Sequence, residues 1–300
     1  MLKTAFAASY VHPLPENHRF PMEKYDLLHR QLLYEGTLET SNIFEPSAID
    51  EEWILKVHDG TYLNNLVNLE LSAAEQRKSG FFHSKELIER EFAIMEGTRL
   101  CCQYALEFGV AMNIAGGTHH AFRNRGEGFC LLNDFAIAAS WLMHRCGLNK
   151  ILIIDLDVHQ GNGTASIFQN ESRVFTFSMH GANNYPMHKE TSDIDIELQD
   201  GIEDAEYLYL LKKNLNQILS EFTPQFIFYQ CGVDILNTDK LGKLNISLQG
   251  CKERDNIVFH TAKSLGVPVV CAMGGGYSQD IKVIVEAHAN TFRCAQNIFF

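Results

Sequence analysis

Ile151-Leu-Ile-Ile-Asp155-Leu-Asp157-Val-His159-Gln-Gly-Asn162-Gly163 changes character abruptly: a run of apolar residues stops and hands over to carboxylates, a histidine and glycines. Three other stretches repeat the pattern. Val110–Ile114 leads into Ala-Gly-Gly-Thr-His119-His120, Phe226–Gln230 into Cys-Gly-Val-Asp234, and Val267–Met273 into Gly274-Gly275-Gly276-Tyr277. Short β-branched and aromatic runs bounded by glycine read as buried parallel strands. In an open α/β sheet, ligands bind in the crevice beyond the carboxyl ends of the strands. Four strand ends carrying two histidines, an Asp/Asp/His set, an aspartate and a tyrosine therefore describe one site. Metal-assisted hydrolysis is the chemistry expected of such a set.

Outward from these motifs, strand and helix alternate as in βαβ units. The apolar spacing predicts helices over Glu23–Glu35, Ser84–Phe108 (with Ser84 as N-cap and Gly109 at its end), Phe135–Arg145, Ile202–Phe222 and Gly250–Leu265. Met1–Tyr10, with one lysine and a short apolar run, reads as a first strand rather than a signal peptide. No repeat, low-complexity tract or linker interrupts the 300 residues, so a single domain over 1–300 is expected, a parallel sheet between two helical layers.

The eight cysteines include no Cys-x-x-Cys pair and fit neither a zinc module nor a disulfide framework; most are expected to be buried thiols, in a reducing, cytoplasmic setting. No stretch reaches 18 apolar residues, so no membrane span is expected. A net charge of −12 argues against nucleic-acid binding. It would steer a cationic ligand such as a Lys-rich peptide toward the protein, or merely keep it soluble. The oligomeric state is not legible.

Asp155, Asp157 and His159 lie at i, i+2 and i+4, and project to one side if the extended geometry continues past Ile154. Adjacent carboxylates repel and need a cation or proton between them. The competing reading is that both aspartates cap the turn that Gly161, Asn162 and Gly163 make. Asp234, at another strand end, tips the balance toward metal. One histidine and two carboxylates leave a tetrahedral site one ligand short, as in catalytic zinc centres. Such a donor set also admits iron, cobalt or manganese.

Gly116-Gly-Thr-His-His-Ala121, Gly128-Phe-Cys-Leu-Leu-Asn-Asp134, Asp155–Gly163, Gly232-Val-Asp234 and Gly274–Tyr277 resemble, in order, the signature set of the zinc-dependent histone deacetylases. His12–Met22 and His58-Asp-Gly-Thr-Tyr62 extend the similarity, which runs from about residue 10 to 280; Asp234–Ser247 and Asn162 resemble the class IV branch most. The resemblance implies the arginase–deacetylase fold, a three-layer α/β/α domain with a mostly parallel sheet of about eight strands. It implies zinc held by Asp157, His159 and Asp234. His120 would be the general base toward the attacking water, His119 its electrostatic partner oriented by Asp155, and Tyr277 the oxyanion stabiliser, with Gly275 and Gly276 giving its loop room. Asp155 and Ser178 would hold a monovalent cation, K+ or Na+. Gly128 and Phe129 would wall an acyl-lysine tunnel opposite Tyr185. Class I relatives carry Asp where this chain has Asn162. Asn still accepts the His120 ring N–H but adds no charge.

The resemblance implies a lysine deacylase that removes acetyl or longer acyl groups from protein side chains. An acetylpolyamine or other small-amide hydrolase is the alternative, although the chain has little room for the added loop such enzymes carry. A two-manganese ureohydrolase would need a second aspartate cluster, and an inactive acyl-lysine-binding module would be missing a ligand, histidine or tyrosine that is present here.

Overall fold

The computed structural model describes all 300 residues. Eight strands form one sheet: β1 (Lys3–Ala5), β2 (Ile43–Phe44), β3 (Val110–Asn113), β4 (Ile151–Asp155), β5 (Val174–Gly181), β6 (Ile194–Leu198), β7 (Phe226–Gln230) and β8 (Val269–Ala272). Their order is β2-β1-β3-β8-β7-β4-β5-β6, and every pair is parallel. The four strands whose ends carry the motifs are thus contiguous in the middle of the sheet. All residues of β3, β4, β7 and β8 are buried, which is why they read as unbroken apolar runs.

The helices are α1 (Lys24–Tyr34), α2 (Glu51–Leu55), α3 (Gly60–Val67), α4 (Ala73–Ser79), α5 (Lys85–Phe108), α6 (Asp134–Arg145), α7 (Asn162–Phe168), α8 (Asp204–Glu221), α9 (Leu248–Leu265) and α10 (Ile281–Phe299). One layer packs α1, α10, α9 and α8 side by side; the other is built on α5 against α3 and α6, with α2 and α7 beside α6. The predicted helices match α1, α5, α6, α8 and α9 to within two residues at each end. Ser84 caps α5 by accepting the Leu87 N–H at 3.2 Å, and Gly109 ends it in the left-handed conformation. All eight cysteines are free, and only Cys146 is exposed. No helix is long and apolar enough to cross a membrane.

Two details of the sequence reading change. The sheet is wholly rather than mostly parallel. The strand carrying the Asp/Asp/His motif stops at Asp155 instead of continuing extended, because the aspartates turn the backbone themselves. Asp155 Oδ1 accepts the Asp157 N–H at 3.2 Å and Asp157 Oδ1 the His159 N–H at 3.0 Å. The turn-capping reading thus describes the first carboxylate oxygen of each aspartate.

Candidate metal centre

Asp157, His159 and Asp234 converge at the carboxyl ends of β4 and β7, with one donor atom from each lying within 4.8 Å of the others, all buried. His159 Nδ1 is 3.0 Å from Asp157 Oδ1 and 3.0 Å from Asp234 Oδ2. Burial, then the neighbouring Asp157 charge, raises the Asp234 carboxyl to about 7. Burial opposes charge on His159, but its bonds to both aspartates raise it to about 10. Two carboxylates at this depth need a cation or a proton between them, and the donor set fits a divalent cation.

The carboxylates are aimed by backbone donors. Val158 N–H binds Asp234 Oδ1 at 3.0 Å and Gly275 N–H binds Asp157 Oδ2 at 2.8 Å. At Gly275 a Cβ would collide with the Asp234 carboxylate, so glycine is needed for this close approach.

His119 and His120 stand on the loop after β3, their ring centroids 4.1 Å apart, with different partners. His119 Nδ1 lies 2.7 Å from Asp155 Oδ2; burial opposes its charge, but Asp155 and Asp157 raise it to about 9. His120 Nδ1 lies 2.7 Å from Asn162 Oδ1, which also accepts the Gly163 N–H at 3.0 Å. That second bond fixes the amide with oxygen toward the ring, so Nδ1 donates and Nε2 keeps its lone pair. Burial, and then the His119 and His159 rings, hold His120 well below the usual histidine range.

A cavity of about 320 Å³ leads in from the surface past Phe129, Tyr185, His120, His159 and Tyr277. Phe129 and Tyr185 both line it, as expected. Phe129 sits at φ +67°, a left-handed conformation uncommon for such a residue, held by its N–H bond to Ser79 O at 2.8 Å and that of Gly128 to Lys78 O at 3.1 Å. The Tyr185 ring meets His120 edge-on at 5.0 Å, and its hydroxyl donates to Glu127 at 2.8 Å. Tyr277 is half-buried, its ring 6.4 Å from that of His159. Its N–H binds Asp239 Oδ2 at 2.6 Å. Gly276, at φ +155°, precedes it. Ser178 pairs with Asp155 in the β4–β5 register, and its hydroxyl lies 2.9 Å from His180 Nδ1.

Several supporting residues were not singled out from sequence. Asp134 accepts the N–H groups of Gly117 and Thr118 at 3.0 and 2.9 Å and the Thr118 and Thr98 hydroxyls at 2.9 and 2.8 Å, fixing the histidine loop. Gln230 donates to Gly117 O at 2.8 Å. Buried Lys24 donates to Gly274 O at 2.9 Å, and burial lowers it to about 8 despite the nearby Asp234 and Asp157. Arg254, fully buried on α9, donates to the carbonyls of Gly232, Cys231 and Leu156 at 2.6, 3.2 and 3.3 Å. Asp134 had a signal, since it closes a motif; Arg254 and Lys24 lie on helices and look like ordinary surface charges.

Residues 18–292 match the histone deacetylase domain. An uncharacterized protein of Picosynechococcus is 43% identical over 97% of this chain and 97% of its own length. Histone deacetylase 2 of Arabidopsis thaliana is 32% identical over 92% of this chain and 74% of its own. The crystal structure of a histone deacetylase homologue from Aquifex aeolicus superimposes with a TM-score of 0.85 at 25% identity, over 98% of this chain and 84% of that one.

Proposed function

The chain belongs to the histone deacetylase family, with the arginase–deacetylase fold, and from that membership we propose that it is a zinc-dependent lysine deacylase acting on polypeptides. One observation carries the reading: the Asp157/His159/Asp234 donors, the Nε2 lone pair of His120 and the Tyr277 side chain meet at the foot of a cavity walled by Phe129 and Tyr185. An extended, neutral acyl-lysine side chain suits such a passage.

Zinc held by Asp157, His159 and Asp234 would polarise the amide carbonyl and acidify a water. His120 takes a proton from the attacking water at Nε2 while Asn162 holds Nδ1–H, and then returns it to the leaving amine. His119, kept charged by Asp155, lowers the cost of the developing negative charge and discourages His120 from protonating early. The Tyr277 hydroxyl donates to the carbonyl oxygen as it becomes an oxyanion.

A cavity of about 40 Å³ is lined by the site's own Asp157, His119, His120, His159 and Tyr277 together with Phe20, Tyr25, Ile94 and Cys130, and so little free space beside the donors supports an acetyl or similarly short acyl group. The test is a panel of acyl-lysine peptides, acetyl through myristoyl, assayed with zinc-loaded protein. Acetyl-lysine should turn over fastest, and Asp234→Ala should lose both zinc and activity. Turnover with undiminished zinc in Asp234→Ala would overturn the ligand assignment; no hydrolysis of any acyl-lysine peptide would overturn the function.

A further inference from the structure

The mouth of this cavity is cationic although the chain is not. Acidic residues outnumber basic ones by 37 to 25, so an average surface patch should be acidic. The residues lining the cavity nevertheless include Arg19, Lys78 and Lys243 and no aspartate or glutamate. Adjoining hollows add Arg77 on one side and Lys240 on the other. All five are exposed. None takes part in any of the molecule's ion pairs.

The carboxylates around the mouth are engaged elsewhere: Asp239 accepts the N–H groups of Leu241, Gly242 and Tyr277 at 2.8, 2.9 and 2.6 Å and pairs with none of these cations. Glu127 is held by Arg125 at 2.7 Å and by the Tyr185 hydroxyl at 2.8 Å. Glu23 lines only the outer hollow beside Lys240.

The backbone fixes where the cations stand. His18 Nε2 is 2.9 Å from Gly80 O, tying the Arg19 loop to the end of α4, and Lys78 O accepts the N–H of Gly128 beside the Phe129 wall. Across the mouth, Lys243 Nζ donates to Asn183 O at 2.9 Å, next to Tyr185. Unpaired cations therefore flank both walls of the passage. Like charges gathered without counter-charges repel one another, and an anionic ligand relieves that repulsion. At about 0.1 M salt the Debye length is about 10 Å, so the mouth cations act on a docked ligand while distant carboxylates are screened.

We propose that this mouth selects acyl-lysine segments flanked by aspartate or glutamate, which settle against Arg19, Lys78 and Lys243. Acylation removes the substrate lysine's own charge, so the flanks decide the electrostatics. Lys/Arg-rich segments and acetylated polyamines, which keep ammonium groups, meet repulsion at the same place. The overall charge of −12, which alone would steer cationic ligands, is locally reversed.

The inference rests on the deacylase reading, and the experiment separates the two. Acetyl-lysine peptides with Asp/Glu, Ser/Gly or Lys/Arg at the two positions on either side, and an acetylated polyamine, are compared for kcat/KM and, as fluorescein-labelled peptides, for binding by anisotropy. At 0.1 M salt, acidic flanks should be favoured over neutral ones by roughly three- to tenfold and over basic ones by more, from two or three exposed charge pairs. The preference should collapse at about 1 M salt, where the Debye length is about 3 Å. In Arg19→Ala/Lys78→Ala the acidic-to-neutral ratio should fall toward one, a readout that partial misfolding does not mimic. A ratio near one in the unaltered protein, a basic or polyamine preference, or a ratio the double variant leaves intact would overturn the proposal. Acidic-flank binding without turnover would sustain it and sink the deacylase reading; turnover without flank preference would do the reverse.

Discussion

His119 and His120 are adjacent in sequence and opposite in electrostatics, and one atom at each partner makes the difference. Asp155 gives His119 a counter-charge and keeps it protonated to about pH 9; Asn162 gives His120 a hydrogen-bond acceptor without charge, and burial keeps that ring neutral. A neutral ring is what a general base requires. Asn162→Asp retains an oxygen at 2.7 Å from Nδ1 and adds an anion, which favours the imidazolium and raises the His120 pKa. The sign follows: a base with a higher pKa stays protonated to higher pH, so the acidic limb of the pH profile of kcat/KM should move upward in pH. Zinc content measured in parallel separates this from a change in the metal site. A limb that stays put or moves down, with zinc intact, would remove His120 from control of that limb.

At the scale of elements, β4 and β7 are joined by their own parallel ladder, and Arg254 on α9 braces the segments just past their ends. Arg254 spans three carbonyls at the two strand ends and is itself held by Asp255, which also accepts the Tyr229 and Thr291 hydroxyls. A lysine there keeps the charge but has one nitrogen for what a guanidinium fork reaches with three. Arg254→Lys should lower metal affinity roughly tenfold or more, in the range that loss of a residue orienting metal ligands costs. Chelator competition measures it, and an unchanged affinity would show that the loops hold their shape without α9. This network also marks where sequence reading stops. The four central strands and the residues at their ends were legible because apolar runs end at glycines and polar groups over a few residues. The order β3-β8-β7-β4 was not, because pairing between segments over 150 residues apart leaves no local trace. The edge strand β6 went unread although Ile194-Asp-Ile-Glu-Leu198 alternates as a half-buried strand should. Arg254 looks like a surface charge on α9, and its burial follows only from the packing of α9 against the sheet. The cationic mouth is likewise assembled from residues 19, 78 and 243, which no window of sequence holds together.

For the whole molecule, burying histidines in the neutral form links its stability to pH. His58, on the loop before α3, joins two distant segments: Nδ1 lies 3.0 Å from Phe122 O and Nε2 accepts the Asn133 N–H at 3.0 Å. Nδ1 must therefore donate, and a second proton on Nε2 would face an N–H donor. Burial, the dominant influence, lowers this histidine to about 4, and His180, also buried, falls to about 4 for the same first reason. In the unfolded chain both return to about 6.5. A base whose folded pKa is depressed contributes stability that is present above the unfolded value and is lost as pH falls through the window from about 6.5 to 4. Each such group contributes up to one proton, about 1.4 kcal/mol per pH unit within that window. Asp234, raised to about 7, opposes this by up to one proton, but His58 and His180 together outweigh it, so urea unfolding followed from pH 7 to 5 should show stability falling with pH. His58→Gln supplies a donor and an acceptor but cannot take up a proton. It should lower stability at pH 7, because the amide cannot span both bonds as the ring does, yet its curve should be shallower by close to one proton. A variant curve running parallel to that of the unaltered protein would mean that His58 does not titrate in this range, and that the acid sensitivity arises in other groups.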